Sequence, residues 1–393
     1  MTSENQLRRP PFIRLMLLLL PLATMLGAFV WIAALDPLRS FNNGAPPVEA
    51  LTVERTIIDA NGIALKLRAG GSAPMVIAQV AVDDAYWSFT QDPAGPIARG
   101  NAVWVQIPYP WVLGEAHNIT LLTNTGMTFA HEIAVAVATP KPSGPQLRLQ
   151  AIIGAIVGLL PVALGLMFYP AMRGVGQGGM NFLLALTVGL LGFLLLDTVS
   201  EALEQSAGAA ALFQGSAMVW LAALASFLML MAIGRWRGNP EGIALAFYIA
   251  LGIGIHNFGE GLAIGAAFAA GSAGLGTFLV LGFALHNVTE GIGIAAPMLR
   301  ARPKLWTFAA LTLLAGSPAI FGMWMGSLAY APQWSALALA VGAGAILQVM
   351  VEVTAYLLRQ NAKWQVALMS PPVLGGFLGG LAFMYATAAL IKI

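Results

Sequence analysis

Two short motifs in the second half of the chain carry residue types that bind divalent metal ions. One reads HNFGEG and starts at His256, and the other reads HNVTEG and starts at His286. Residues four positions apart in a helix lie one turn apart on the same face, so the His and the Glu of each motif can hold one ion together. The asparagine beside each His offers a further oxygen atom. The candidate metal ligands are His256, Asn257, Glu260, His286, Asn287 and Glu290.

The two motifs are expected at the same depth of adjacent antiparallel helices. Each His lies about 15 residues from a turn expected at residues 270–273, which at ~1.5 Å per residue is ~22 Å from the helix ends. This is close to the middle of a tilted membrane span. A buried His or Glu can also simply pair with a neighbour and hold helices together. However, a carboxylate at the centre of a membrane costs roughly 2.5–3.5 kcal/mol on insertion scales, and the repetition of the motif favours metal binding.

Further polar residues in apolar segments suggest a pathway for an ion. Asp197 and Glu201 lie one turn apart, and so do Gln348 and Glu352. An unsolvated cation cannot cross apolar lipid, so a transporter needs polar groups at its mouth, its middle and its exit. We expect Asp197 and Glu201 toward the outer side and Glu352 toward the cytoplasmic side.

The composition excludes several classes of protein. Of the 393 residues, 58% are hydrophobic and 9% are charged, whereas a soluble domain carries about 25% charged residues. A soluble enzyme is therefore excluded. The formal net charge of +2 is too small for a protein that binds nucleic acid electrostatically. The absence of cysteine excludes disulfides and thiolate metal sites.

The predicted fold class is a polytopic α-helical membrane protein with a small all-β domain outside the membrane. Eight apolar segments are each long enough to span a bilayer: 147–170, 180–204, 212–234, 243–269, 273–299, 305–330, 335–358 and 369–391. The basic residues between them fall on one face: Arg173, Arg235, Arg237, Arg300, Arg302, Lys304, Arg359 and Lys363. Because positive loops stay inside, this face is expected to be cytoplasmic. The C-terminus is then extracytoplasmic.

The N-terminal part is expected to contain an anchor. Arg8, Arg9 and Arg14 precede an apolar run of about twenty residues, which predicts a ninth span in residues 1–36 with a cytoplasmic N-terminus. A cleaved signal peptide is the competing interpretation, but its apolar region would be unusually long and no clean cleavage site follows. The chain is therefore expected to be a multi-pass protein of the cell membrane.

Residues 40–139 are expected to form an extracytoplasmic β-sandwich of immunoglobulin type. Apolar residues alternate with other residues in three runs, which indicates strands: Ile63, Leu65 and Leu67; Val103, Val105 and Ile107; Ile133, Val135 and Val137. The pair Asn61-Gly62 predicts a tight turn. Six or seven short strands are expected. A linker at 140–146 leads to the eight-span domain, 147–393.

The region 147–393 resembles the ZIP (Zrt/Irt-like) family of divalent metal transporters, in its bacterial-type branch. The resemblance rests on the eight apolar segments and on HNFGEG and HNVTEG, which are similar to the family motifs HNFPEG and HNIPEG. It implies that the six candidate ligands form the transport site, and it also implies a homodimer and alternating access by movement of one helix bundle. Gly259 and Thr289 replace the prolines of the family motifs. Ser317 replaces a glutamate that is common in this branch, so the number of metal ions in the site, one or two, stays open.

The expected function is the uptake of a divalent transition metal rather than an enzymatic reaction. Mixed imidazole and carboxylate ligands suit Zn²⁺, Fe²⁺, Mn²⁺, Co²⁺ or Ni²⁺ better than Mg²⁺ or Ca²⁺, although affinity alone does not choose among them. Zn²⁺ is the expected ion, with the others and Cd²⁺ as alternatives. The expected partners are therefore the metal ion, the lipid bilayer and a second copy of the chain. Two alternatives remain open: a membrane-embedded metal-dependent hydrolase and a metal sensor. The hydrolase lacks the HExxH motif of zinc proteases and any other recognisable nucleophile.

Overall fold

The computed structural model describes residues 11–35, 46–141, 143–236, 238–269, 273–329, 331–360 and 368–391. This part of the chain is mostly helical, and it contains eight helices long and apolar enough to cross a membrane and two small antiparallel sheets. The eight predicted spans are thereby confirmed as helices. Four of the basic residues and most of the expected turn lie outside the described residues: Arg8, Arg9, Arg237, Lys363 and 270–272.

The described residues up to Val48 form a unit of their own, with one helix, α1 (Pro11–Leu35). Large apolar side chains such as Leu20, Phe29 and Trp31 are exposed on it. The apolar stretch Leu19–Ile32 is shorter than the eight spans of the second unit. The ninth span therefore stays a prediction.

Eight strands form the β domain of the second unit. They are β1 (Leu51–Asp59), β2 (Gly62–Ala69), β3 (Ile77–Val82), β4 (Ala85–Trp87), β5 (Thr90–Asp92), β6 (Ala102–Ile107), β7 (His117–Thr123) and β8 (Thr128–Ile133). One sheet has the order β1-β2-β6-β5 and the other has the order β4-β3-β7-β8. Alternate residues of both sheets, such as Leu65, Val105, Val80 and Leu121, are fully buried in one shared core. Two sheets around one core make a sandwich, with one strand more than expected.

The turn between β1 and β2 lies where it was predicted. Asp59 pairs with Gly62 across Ala60 and Asn61, and the main-chain N–H of Asn61 donates to Oδ1 of Asp59 at 2.8 Å. Gly62 has a φ of +112°, a conformation that glycine adopts without steric cost. A side chain there would also collide with the main-chain oxygen of Ile107.

The strand predicted across Ile133, Val135 and Val137 ends earlier than expected. β8 stops at Ile133, and Val135 and Val137 are 59% and 39% exposed. The main chain here leaves the sheet, because Ala136 exchanges hydrogen bonds with Gly114 and Glu115 instead of a neighbouring strand. Ala136 rather than either valine is buried. The alternation of Val135 and Val137 was therefore a false strand signal.

Eight long helices follow the β domain. They are α2 (Gly144–Met172), α3 (Gln177–Ala207), α4 (Ala211–Arg235), α5 (Gly242–Ala269), α6 (Ala273–Ala295), α7 (Leu305–Gly316 and Pro318–Ala329), α8 (Pro332–Arg359) and α9 (Pro371–Ile391). Helix α2 begins inside the predicted linker 140–146, because the Ser143 hydroxyl accepts a hydrogen bond from the N–H of Gln146 and caps the helix. Helix α2 has a π-helical turn at Ala155–Leu159, and α7 is interrupted at Ser317.

The helices pack in two groups of four. In one group α5 packs against α6 and α7, and α2 packs against α6 and α7; in the other, α3 packs against α8 and α9, and α4 packs against α8. The main contact between the groups is that of α5 with α8. Gly261 brings α5 very close to α7, since a Cβ atom on it would lie 2.0 Å from the main-chain oxygen of Ala319. Small residues permit such close helix packing.

The β domain contacts the ends of three helices. Glu54 is buried on β1 and accepts hydrogen bonds from Arg68 of β2 and from Nε2 of Gln333, at the start of α8. The Arg55 guanidinium donates to the main-chain oxygen of Leu328, near the end of α7, at 3.1 Å. Arg68 also lies over the ring of Phe213 near the start of α4. These contacts define the β-domain end of the helices.

Basic residues mark the opposite end of the helices. Arg235, at the end of α4, pairs with Glu352 of α8, and the hydroxyl of Tyr169 at the end of α2 donates to the main-chain oxygen of Ala301. A polar cavity at this end is lined by Glu241, Arg300, Tyr356, Arg359 and Gln360. The basic residues of the described segments that connect the eight helices thus share one end, which is called the basic end below.

Candidate metal centre

Three side chains from the two motifs meet at one point between α5 and α6. Oε1 of Glu260 accepts hydrogen bonds from Nε2 of His256 at 3.0 Å and from Nε2 of His286 at 2.6 Å. One ligand atom from each of the three residues lies within 4.8 Å of the others. All three side chains are buried, with exposures of 2%, 1% and 5% for His256, Glu260 and His286. The motifs therefore converge, as their spacing predicted for these three residues.

The arrangement fits a divalent metal ion after a small change. A tetrahedral ion with ligands at 2.0–2.2 Å keeps its ligand atoms about 3.3 Å apart. The Nε2–Oε1 distances of 3.0 and 2.6 Å would have to open by about 0.3 and 0.7 Å. Because an ionised carboxylate only accepts hydrogen bonds, both imidazoles carry their proton on Nε2 here. An ion entering this point would bind Nε2 of each imidazole, and the proton of each neutral ring would then lie on Nδ1.

The two asparagines are held by irregular main chain in the neighbouring helices. Nδ2 of Asn287 donates to the main-chain oxygen of Val157, inside the π-helical turn of α2, at 3.0 Å. Nδ2 of Asn257 donates to the oxygen of Ala315 at 3.0 Å, just before the interruption of α7 at Ser317. A π-turn and a proline both disturb the regular hydrogen bonds of a helix. Each break thus lies beside the amide of one motif.

The same contacts leave one amide oxygen of each asparagine available. Oδ1 of Asn257 and Oδ1 of Asn287 are buried and have no hydrogen-bond partner among the described residues. Nδ2 of Asn287 also donates to Oε2 of Glu260 at 3.3 Å, which places Asn287 directly beside the three converging side chains. Unpartnered buried oxygens are rare, and these two are chemically suited to bind a cation.

Glu290 differs from its counterpart Glu260. It is 3% exposed, yet neither carboxylate oxygen has a hydrogen-bond donor among the described residues. It lines a small, mostly apolar cavity with residues of α3, α5, α6 and α9, and His286 of the cluster lines the same cavity. Glu290 does not belong to the cluster formed by Glu260 and the two histidines. Its carboxylate is therefore a neighbour of the cluster rather than a member of it.

The departures from the family motifs have visible structural consequences. Helix α5 continues through Gly259 and α6 continues through Thr289. The Thr289 hydroxyl donates to the main-chain oxygen of His286 at 2.5 Å. The Ser317 hydroxyl donates to the oxygen of Leu313 within α7 and is not part of the cluster. In the described state, therefore, Ser317 contributes no ligand to a second metal ion.

The predicted pathway residues fall on both sides of the cluster. Asp197 is exposed on α3. Glu201 lies one turn further toward the β-domain end, where its Oε1 accepts a hydrogen bond from Gln205 at 2.8 Å. Gln348 and Glu352 are completely buried on α8, on the side of the basic end. Glu201 thus lies toward the β-domain end and Glu352 toward the basic end.

Two features of this region escape a reading of sequence spacing. The sequence pattern marks Arg235 only as a residue of a positive loop. In the structure Arg235 contacts buried Glu352, 117 positions further along the chain. The main-chain oxygens of Val157 and Ala315 hold the asparagines, and a main-chain acceptor leaves no mark in residue type. Pro318, next to Ser317, was the one available signal of an irregular helix there.

The chain was also compared with known proteins. No protein-family model matches it, and no curated protein matches it either. The resemblance to the ZIP family rests on the eight apolar helices and the two motifs.

Proposed function

We propose that this protein carries a divalent transition-metal ion across a membrane. The observation that supports this most directly is the meeting of two imidazole nitrogens and one carboxylate oxygen within 4.8 Å, inside a bundle of apolar helices. Ionisable residues inside membrane spans are rare, and they commonly mark an ion pathway. A purely structural role does not account for the unpartnered oxygens of Asn257 and Asn287 at the same place.

The donor set favours a borderline metal ion. Imidazole and carboxylate together suit first-row transition metals such as Zn²⁺, and we propose Zn²⁺ as the cargo, with Fe²⁺, Mn²⁺, Co²⁺, Ni²⁺ and Cd²⁺ as further candidates. Mg²⁺ and Ca²⁺ prefer sites made of oxygen atoms alone. The metal is the cargo in this proposal, and it binds at Nε2 of His256 and His286, whose single ring protons then lie on Nδ1.

Transport by alternating access is supported by the packing of the helices. The cluster lies within the group that contains α5, α6 and α7, while Gln348 and Glu352 lie on α8 of the other group. A displacement of one group relative to the other would change which end of the bundle the cluster faces. In this proposal the eight helices span the cell membrane with the basic end in the cytoplasm, and the β domain lies outside. Uptake then runs from the β-domain end to the basic end.

The test is the uptake of metal into sealed vesicles that contain the purified full-length protein. Zn²⁺ and Co²⁺ should enter faster than into protein-free vesicles, and Mg²⁺ should not. Glu260→Gln should abolish the protein-dependent part, whereas Glu204→Gln, on an exposed residue at the far end of α3, should leave it unchanged. Equal uptake by the wild type and Glu260→Gln would refute the proposal. The same flux also separates a transporter from a metal-dependent hydrolase or a sensor, which would move no ion.

A further inference from the structure

A line of buried polar atoms leads away from the metal centre along the contact between α5 and α8. Nδ1 of His256 has no hydrogen-bond partner among the described residues, and it lies beside Gly342 of α8. One turn earlier on α5, Gly252 faces Oε1 of Gln348. Both amide atoms of Gln348 are likewise buried and unpartnered. The line thus connects the centre to α8.

The line ends at an ion pair. Glu352 lies one turn beyond Gln348 on α8, and its side chain is completely buried. Its Oε1 accepts a hydrogen bond from Nε of Arg235 at 2.9 Å, while its Oε2 has no partner among the described residues. The side chain of Arg235 is 40% exposed and extends from the last turn of α4. One partner is therefore fixed inside the bundle and the other can reach solvent.

Two oxygens beside Arg235 are of the kinds that bind cations. Oε1 of Gln348 and Oε2 of Glu352 are both buried without a donor, and amide and carboxylate oxygens bind divalent cations. Gln348 and Glu352 are called the α8 station below. A lone carboxylate in this apolar surrounding would be strongly unfavourable. The guanidinium of Arg235 supplies the positive charge that the station needs.

We propose that the guanidinium of Arg235 occupies the α8 station in the place of a second divalent ion, and that an ion leaving the metal centre must displace Arg235 from Glu352. This inference rests on the proposed transport function. Arginine suits the task because it stays charged at all working pH values. Its partial exposure allows the guanidinium to move into solvent when the metal ion takes over the charge of Glu352. The pair then closes the basic end of the pathway whenever no ion is passing.

The experiment counts the Co²⁺ ions bound by the purified full-length protein in detergent, by equilibrium dialysis and metal analysis. The wild type should bind one ion per chain at the metal centre. Arg235→Gln should bind a second ion at least about tenfold more tightly than the wild type does, which corresponds to ~1.4 kcal/mol. The double variant Arg235→Gln/Glu352→Gln should return to one ion. Arg173→Gln removes a basic residue that stacks on Tyr169 and should still bind one.

Exchanging the two charges separates a gate from a structural ion pair. The variant Arg235→Glu/Glu352→Arg keeps a pair of opposite charges but fixes the cation inside the bundle. It should bind one ion and should not transport it. Restored uptake in this variant, or an unchanged ion count in Arg235→Gln, would show that the pair only holds α4 against α8. If Arg235→Gln does not fold, Arg235→Lys is used instead, because an ammonium group pairs with a carboxylate less specifically than a guanidinium does. Arg235→Lys should then bind the second ion more tightly than the wild type does. An unchanged affinity of Arg235→Lys for the second ion overturns the inference.

The outcome for the metal centre is read in the same samples. If the wild type binds no ion, or binds one that Glu260→Gln leaves in place, the proposed function itself fails. If the ion that depends on Glu260 is present and Arg235→Gln gains none, only the role of Arg235 is refuted.

Discussion

The two motif glutamates should respond differently to replacement by glutamine, although their sequence surroundings are alike. Glu260 accepts hydrogen bonds from both imidazoles. A hydrogen bond to a charged group stabilises a protein by about 1.5–3 kcal/mol and a neutral one by about 0.5–1.5 kcal/mol. Glu260→Gln weakens two such bonds, so it should lower the free energy of unfolding of the metal-free protein by about 2–3 kcal/mol. Glu290 accepts no hydrogen bond from the described residues, so Glu290→Gln should leave that free energy unchanged or raise it.

The two variants should also differ in how strongly a divalent metal ion stabilises their folded state. An ion at 100 times its Kd stabilises the folded state by about 2.7 kcal/mol. Glu260→Gln removes a central ligand, and a loss of affinity of about 100-fold would reduce this gain to about 0.4 kcal/mol at the same concentration. Glu290→Gln should keep most of the gain, because Glu290 lies outside the cluster in the described state.

The assay is unfolding of the full-length protein in detergent, followed by the circular dichroism of its helices with and without Co²⁺. Glu204→Gln serves as the control for loss of one carboxylate, since Glu204 is exposed. Equal destabilisation of the metal-free protein by Glu260→Gln and Glu290→Gln would refute the assignment of different roles. A full metal-dependent gain in Glu260→Gln would refute the centre itself.

Two further predictions concern packing. Gly261→Ala places a Cβ atom 2.0 Å from a main-chain oxygen of α7 and should destabilise the bundle by about 1–3 kcal/mol. The control Gly379→Ala, whose Cβ would meet only a side-chain atom at 3.7 Å, should unfold like the wild type. Equal unfolding midpoints of the two variants would contradict the close approach of α5 to α7. Glu54→Ala leaves Arg68 and Gln333 without their shared acceptor. It should weaken the attachment of the β domain to the helices by up to about 3 kcal/mol, which is measured as faster proteolysis at the start of α2. Unchanged proteolysis would mean that other contacts hold the domain.

Much of the architecture could be predicted from local sequence patterns. The eight helices follow from long apolar segments, because residues that face lipid must be apolar over the whole length of a span. The buried rows Ile63, Leu65 and Leu67 follow from alternation, because successive side chains of a strand point to opposite faces. The same rule failed at Val135 and Val137, where alternation is present but the main chain bonds to a loop.

The residues of the candidate centre were also visible in the sequence, since His and Glu one turn apart share a helix face whatever the rest of the fold. Which of them meet could not be predicted in this way. Identical spacing places Glu260 between both imidazoles and leaves Glu290 beside the cluster, in a cavity that His286 also lines. The difference comes from the rotation and translation of α5 relative to α6, and these depend on packing against other helices.

The sequence by itself determined the residue types, their spacing and the apolar length of each helix, because these properties depend on neighbours along the chain. Only the tertiary structure decided that Asn257 and Asn287 are held by irregular main chain of α7 and α2, and that Arg235 reaches Glu352. These contacts join residues 58, 130 and 117 positions apart. The physical reason is that a contact between helices depends on the whole surface along which they pack, and no local pattern records that surface.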